Sequence, residues 1–266
     1  MKVCVLRNEY EKREDLAYIF YYPRKKEWYI ELPEGIDEWE LPFILDSFAR
    51  NGEWSINSYW SRRFVTERIV PPNRQNIGAI LRDNNLEEYD EFALFMIADG
   101  RCAQDECYIK EISTDGVPEE ILKRKESYLE TAMVIDNSIL LTLKNGEVFL
   151  VDNEVVAGQY DWYKRLLSYA RGLSGLRVDV AGNALMVTES KSLSAEYLKS
   201  AGKKLPVDAK LLREYACNEI ISTGTAMKIL GCTRQNIDDL VKRGRLTPAP
   251  VDSTSRMFFR SEVEGL

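Results

Sequence analysis

The sequence predicts an α+β fold: an N-terminal α+β body, a small α+β middle domain with an Asn-Gly β-hairpin, and a C-terminal winged helix-turn-helix. Three observations predict it. Short aromatic and β-branched runs alternate with turn residues, apolar residues at helical spacing lie between them, and two short amphipathic segments flank Gly231. At 266 residues and 45% hydrophobic, the chain can hold two compact domains or one large domain with an appendage.

In the body, residues 16–22 and 28–32 are dense apolar runs around Pro23-Arg24-Lys25-Lys26, the pattern of a hairpin with a four-residue loop. Residues 39–50 read as a helix stopped by Asn51-Gly52, and 74–84 as another, capped by Asn73. Residues 92–98 and 106–112 read as strands around Asp99-Gly100-Arg101. Residues 60–64, Trp-Ser-Arg-Arg-Phe, interleave aromatic and basic side chains, which hints at nucleic acid but reads more simply as core plus a solvated edge. A helix is expected from Gly116-Val117-Pro118 through Glu130.

In the middle domain, 139–144 and 147–151 are joined by Asn145-Gly146, which tolerates the positive φ of a two-residue type I′ turn. That turn sets Lys144 opposite Glu147, Leu143 opposite Val148 and Leu141 opposite Leu150, gathering Leu141, Leu143, Val148 and Leu150 on one face. A helix over 161–171, strands over 176–180 and 184–187, and helices over 194–200 and 207–217 follow. Gly202-Lys203-Lys204-Leu205-Pro206 separates the last two helices. The Leu-Lys-Asn-Gly-Glu-Val segment (143–148), Asp152, Arg165-Leu166-Leu167, residues 177–183 and residues 193–198 together resemble a small bacterial domain of unknown function, family 2442, over 136–199. The resemblance implies an α+β scaffold found in small proteins with an antitoxin-like role, and it identifies no catalytic residue.

Toward the C-terminus, Thr223 is expected to cap a short helix with Ala226, Ile229 and Leu230 inward and Gly231 as the turn. Thr233 then caps a second helix, 234–243, with Ile237, Leu240 and Val241 inward and Gly244 at its end. Residues 246–251, a polar tip over 252–255 and residues 256–260 read as a β wing, and Ser261-Glu262-Val263 starts a third helix. This order resembles the winged helix of the MerR/excisionase class over 221–266, which implies a second helix lying in the major groove of double-stranded DNA. Relatives continue the third helix further, so packing beneath the wing is expected to be completed elsewhere in the chain.

Starting from Ile237, steps of 100° place Gln235, Asp239 and Lys242 opposite the apolar stripe, with Asn236 and Arg243 beside them and Arg234 nearer the buried side. Arg234, Gln235 and Asn236 are the candidates for base edges. Lys242, Arg243, Arg245, Arg256 and Arg260 are the candidates for phosphates. Between Lys228 and Arg260 the only acids among these bases are Asp238, Asp239 and Asp252, although the whole chain carries a net charge of -7.

Composition excludes much else. There is no histidine, which removes Ser-His-Asp and Cys-His hydrolases, HExxH peptidases and His-ligated metals. The five scattered cysteines form no disulfide framework, which fits a reducing cytosol. Cys102 and Cys107 alone cannot close a zinc site. No phosphate loop or membrane-length apolar run appears, and the apolar stretch within residues 1–7 is too short to be expected to serve as a secretory leader. The expectation is a cytoplasmic, homodimeric DNA-binding regulator without cofactor or enzymatic activity, divided into 1–112, 113–203, a linker helix over 204–218, and 219–266. Two alternatives stand beside it. One is an antitoxin-like module that binds a protein partner through the middle domain and autorepresses. The other is a Mg²⁺ nuclease using acids such as residues 87–91, or Asp105 and Glu106 with Lys110.

Overall fold

A computed structural model describes residues 1–10, 15–169, 172–251 and 253–266. Helices and antiparallel sheets together make an α+β protein, in two compact units, Met1–Lys204 and Leu205–Leu266. No helix among the described residues is long and apolar enough to cross a membrane.

The first unit is built on an antiparallel sheet of β1 (Lys2–Asn8), β2 (Ala17–Tyr22), β3 (Glu27–Glu31), β4 (Ser55–Ile56) and β5 (Cys107–Ile112), in the order β4-β3-β2-β1-β5. Alternation along the strands supplies both faces. Cys4, Leu6, Ile19, Trp28 and Ile30 point into a core with α1 (Phe43–Arg50), α2 (Ser58–Thr66), α3 (Ile77–Asp83) and α4 (Glu91–Ile97). Val3, Val5, Tyr18, Phe20 and Tyr29 point the other way, where Val117, Ile121 and Ala181 cover them. The expected border between 112 and 113 therefore does not divide this unit, because the two segments share a core.

After α5 (Glu119–Glu126) come β6 (Leu129–Ile135), β7 (Ser138–Leu143), β8 (Glu147–Asp152), α6 (Asn153–Gln159) and α7 (Asp161–Leu167). A three-stranded sheet of β9 (Arg177–Val178), β10 (Ala184–Met186) and β11 (Ser192–Ser194) precedes α8 (Ala195–Ala201). The strand β12 (Lys203–Asp208) gives the second sheet its order, β12-β8-β7-β6.

Several expectations are corrected here. Residues 92–97 are helical, not extended, and Ala98 is the cap that follows. An unbroken apolar run fits either state, and Asp90 decides it by accepting the Ala93 N–H at 2.9 Å as an N-cap. Pro42 splits the helix expected over 39–50 into a single 3₁₀ turn, Glu38–Glu40, and α1. The helix expected over 74–84 begins only at Ile77, and the one expected through Glu130 stops at Glu126, leaving room for β6. Residues 203–208 form a strand across the expected separator 202–206 and the start of the helix expected over 207–217, which begins at Ala209. The helix expected over 161–171 ends at Leu167, and Arg171 lies outside the described residues.

The β7–β8 hairpin also differs by one residue. Ile139 faces Val151, Leu141 faces Phe149 and Thr142 faces Val148. Gly146, at φ +88°, donates to the Leu143 carbonyl at 2.9 Å, so the loop has three residues, Lys144 to Gly146, rather than two. A turn closed by a single left-handed glycine is the next most common hairpin solution. The shift puts Ile139, Leu141, Leu143, Phe149 and Val151 on the core face and moves Leu150 off it. Lys144 and Glu147 do not pair; Lys144 donates to the Ala181 carbonyl and Glu147 pairs with Lys204.

A fully buried carboxylate, Glu31, ends β3. It accepts from Ser55 Oγ at 2.9 Å, from Arg124 Nη1 at 2.8 Å and from the Tyr128 hydroxyl. Burial pushes its pKa up from 4.5 to about 7, against the opposing pull of Tyr128, Arg124 and Ser55. Between those two values the folded protein holds a proton that the unfolded chain releases, so this group's contribution to stability falls as pH rises from 4.5 to 7. Urea unfolding across that range should show the fall in the wild type, and the difference between wild type and Glu31→Gln should carry the same slope. A pH-independent difference would refute the assignment.

Candidate nucleic-acid interface

The second unit contains α9 (Ala209–Glu219), β13 (Ile220–Ser222), α10 (Thr223–Leu230), α11 (Arg234–Lys242), β14 (Met257–Phe259) and α12 (Arg260–Glu264). Its core is Ile221, Ala226, Ile237, Leu246, Phe258 and Val263, with Met227, Ile229, Leu230, Cys232, Leu240 and Val241 packed partly buried around them. Ala226 and Ile237 have no exposed surface, so the absence of a long side chain at 226 lets the two helices approach.

The turn between the helices follows from local chemistry. Gly231 adopts φ +61°, a left-handed C-cap that lets its N–H and that of Cys232 both reach the Met227 carbonyl. Thr233 then caps α11 by accepting the Asn236 N–H. Ser222, not Thr223, caps α10, accepting from Thr225 N at 3.2 Å. The Thr223 hydroxyl instead donates to the Arg256 carbonyl at 2.9 Å, tying α10 to the segment after the wing tip.

The wing is shorter than expected. Its return strand β14 pairs with β13, Ile221 facing Phe258, and the segment 246–251 forms no strand. One bond, Ala249 N to Met257 O at 2.8 Å, joins that segment to β14. Pro248 and Pro250 have no N–H to offer a ladder, which explains the gap. The tip residue Asp252 lies outside the described residues.

Six of the eight predicted contact residues stand exposed without an ion pair among the described residues: Arg234, Gln235, Asn236, Lys242, Arg243 and Arg245. Asn236, Asp239, Arg243 and Arg245 line one shallow depression of about 360 Å³ together with Leu230, Leu240 and Leu266. The other two are engaged within the unit. Arg256 Nη1 lies 2.6 Å from Asp238 Oδ1, and Arg260 donates to the Asn218 carbonyl at 2.9 Å and faces Glu264 at 3.5 Å. Asp238 was missed by sequence reasoning; one further 100° step from Ile237 would have placed it beside Lys242. Glu219 was missed as well. Its carboxylate accepts the Ser261 N–H at 3.0 Å and the Ser261 hydroxyl, which holds its pKa below the usual carboxylate range.

Of the remaining sequence candidates, Asp105 and residues 62–64 are occupied structurally. Asp105 takes the Arg68 guanidinium on both oxygens, and the Cys107 N–H at 3.0 Å. Burial works to raise its pKa, but these donors hold it below the ordinary value. No group of three or more Asp, Glu or Cys side chains among the described residues could hold a metal. In α2, Phe64 is in the core, while Arg62 pairs with Glu91 at 2.6 Å and Arg63 with Glu67 at 2.7 Å. No family model, curated protein or solved structure matches this chain.

Two substitutions test the scaffold. Gly231→Ala should destabilise the α10–α11 pair by about 1 kcal/mol, because φ stays positive although space for the methyl is open. Ile237→Ala should cost about 2–5 kcal/mol. Amide hydrogen exchange in α10 and α11 reads both, and unchanged protection in Ile237→Ala would contradict the packing described.

Proposed function

We propose that the second unit binds double-stranded DNA and that the chain acts as a sequence-specific transcriptional regulator. The observation that carries this reading is the exposed polar face of α11, presented by a left-handed glycine turn on a helix whose opposite face is anchored by Ile237. A helix so mounted can enter a major groove. Arg234, Gln235 and Asn236 at its N-terminal turn are then the readers of base edges, and Lys242, Arg243 and Arg245 at the far end meet phosphates. Arg256, held by Asp238, serves first to fix the segment beyond the wing tip against α11. Two copies would read paired half-sites.

Fluorescence anisotropy on a panel of duplexes at low and moderate salt tests the reading. Affinity should fall as salt rises. Lys242→Ala should weaken binding to every duplex and reduce the log–log salt slope by about 1. Gln235→Ala or Asn236→Ala should cost about 1–3 kcal/mol and relax preference at one base position. Salt-independent binding, or none lost with Arg234→Ala plus Lys242→Ala, rejects it.

A further inference from the structure

A cavity of about 460 Å³ opens in the first unit between α5 and the β7–β8 turn, lined by Leu122, Lys125, Glu126, Lys144 and Asn145. Its two lysines behave unlike surface lysines, which extend the ammonium into water. Lys144 is exposed as a residue, yet its ammonium donates to the Ala181 carbonyl and sits 5.6 Å from the centre of the Tyr128 ring. Lys125 is half-buried, with Nζ 4.4 Å from the Phe20 ring and 5.4 Å from the Tyr29 ring.

Among the described residues neither lysine forms an ion pair. Two carboxylates act on these lysines: the buried Glu31, saturated by Ser55, Arg124 and Tyr128, reaches both, and Glu130 reaches Lys144. Glu126 on the cavity wall is exposed and forms no ion pair with either lysine. Burial lowers the pKa of both lysines, and the Lys144 charge lowers that of Lys125 further. Two partly desolvated cations of like sign on one wall, neither in an ion pair among the described residues, gain from an anion that joins them.

We propose that this cavity binds a small oxyanion, a phosphate or carboxylate group, between the ammoniums of Lys125 and Lys144. Both ammoniums would then make charge-assisted hydrogen bonds to one group. The apolar wall of Leu122, itself 43% exposed, suits an anion that carries a short carbon skeleton. The site lies outside the DNA-binding unit and stands or falls independently of that reading.

The test is NMR on the full chain, following the lysine side-chain resonances while titrating inorganic phosphate and, separately, acetate. Saturable shifts confined to Lys125 and Lys144 are expected, and the titrant that saturates at lower concentration identifies the preferred oxyanion. Lys125→Gln and Lys144→Gln should each weaken binding about tenfold or more. Lys123→Gln, at an exposed lysine paired with Glu119, should leave it unchanged. Should a variant fail to fold, the wild-type titration decides alone. No saturable shift with either titrant, or equal affinity in all three variants, overturns the proposal.

Discussion

A carboxylate shut away from water holds the larger unit together. Glu31 sits at the end of a strand near the chain's beginning, and its partners come from β4, from α5 and from the residue just before β6. A buried charge is tolerated only when its partners are all in place, and removing one from such a set typically costs about 3–5 kcal/mol. Arg124 multiplies the dependence, since the same guanidinium also reaches the Leu32 carbonyl at 3.0 Å and the Trp54 carbonyl at 3.3 Å. A second clasp repeats the logic: Asp179 accepts the Ser58 N–H at 2.7 Å and its hydroxyl at 2.5 Å, at the start of α2. Two segments that read as separate domains are thereby made conditional on one another.

None of this coupling was legible in the sequence, because it joins positions far apart whose partners no local pattern names. What was legible is what local chemistry decides. The hairpin around residues 23–26 formed as expected, and Gly231 and Thr233 fixed the turn and cap where they stand. The β7–β8 loop shows the limit. Asn-Gly signalled a tight hairpin, yet the same glycine also closes a three-residue loop, and one residue of difference moved Leu150 off the core face and brought Phe149 onto it. Residues 3–6 carried no strand expectation, yet all four are buried between β2 and β5. Residues 92–98 failed because uniform hydrophobicity has no period, and the deciding signal was the single acid before it.

The smaller unit is more transparent because its core is local. Ala226, Ile237 and Val263 sit on three short helices close together in the chain, and the helical spacing of their neighbours is visible by inspection. Two polar contacts within it were opaque, Glu219 to Ser261 and the ion pair from Asp238 to Arg256, the latter spanning the wing. At half exposure such a pair contributes at most about 1 kcal/mol, so its consequence is geometric: it fixes where the segment beyond the wing tip lies against α11.

That geometry bears on how α11 could discriminate. Asp238 is neutralised by Arg256, whereas Asp239 stands exposed without an ion pair among the described residues, on the face that carries Gln235 and Lys242. On the DNA-binding reading, an unpaired carboxylate there repels the phosphates that Lys242 and Arg243 attract. It gains a partner only where its oxygen meets a cytosine amino group. Such a helix would bind any duplex weakly and tolerate few orientations in the groove, so the same acid that limits affinity would penalise wrong sites. Discrimination built on a repulsive element needs fewer favourable base contacts than discrimination built on attraction alone. On that reading, three candidate readers on one helical turn would suffice.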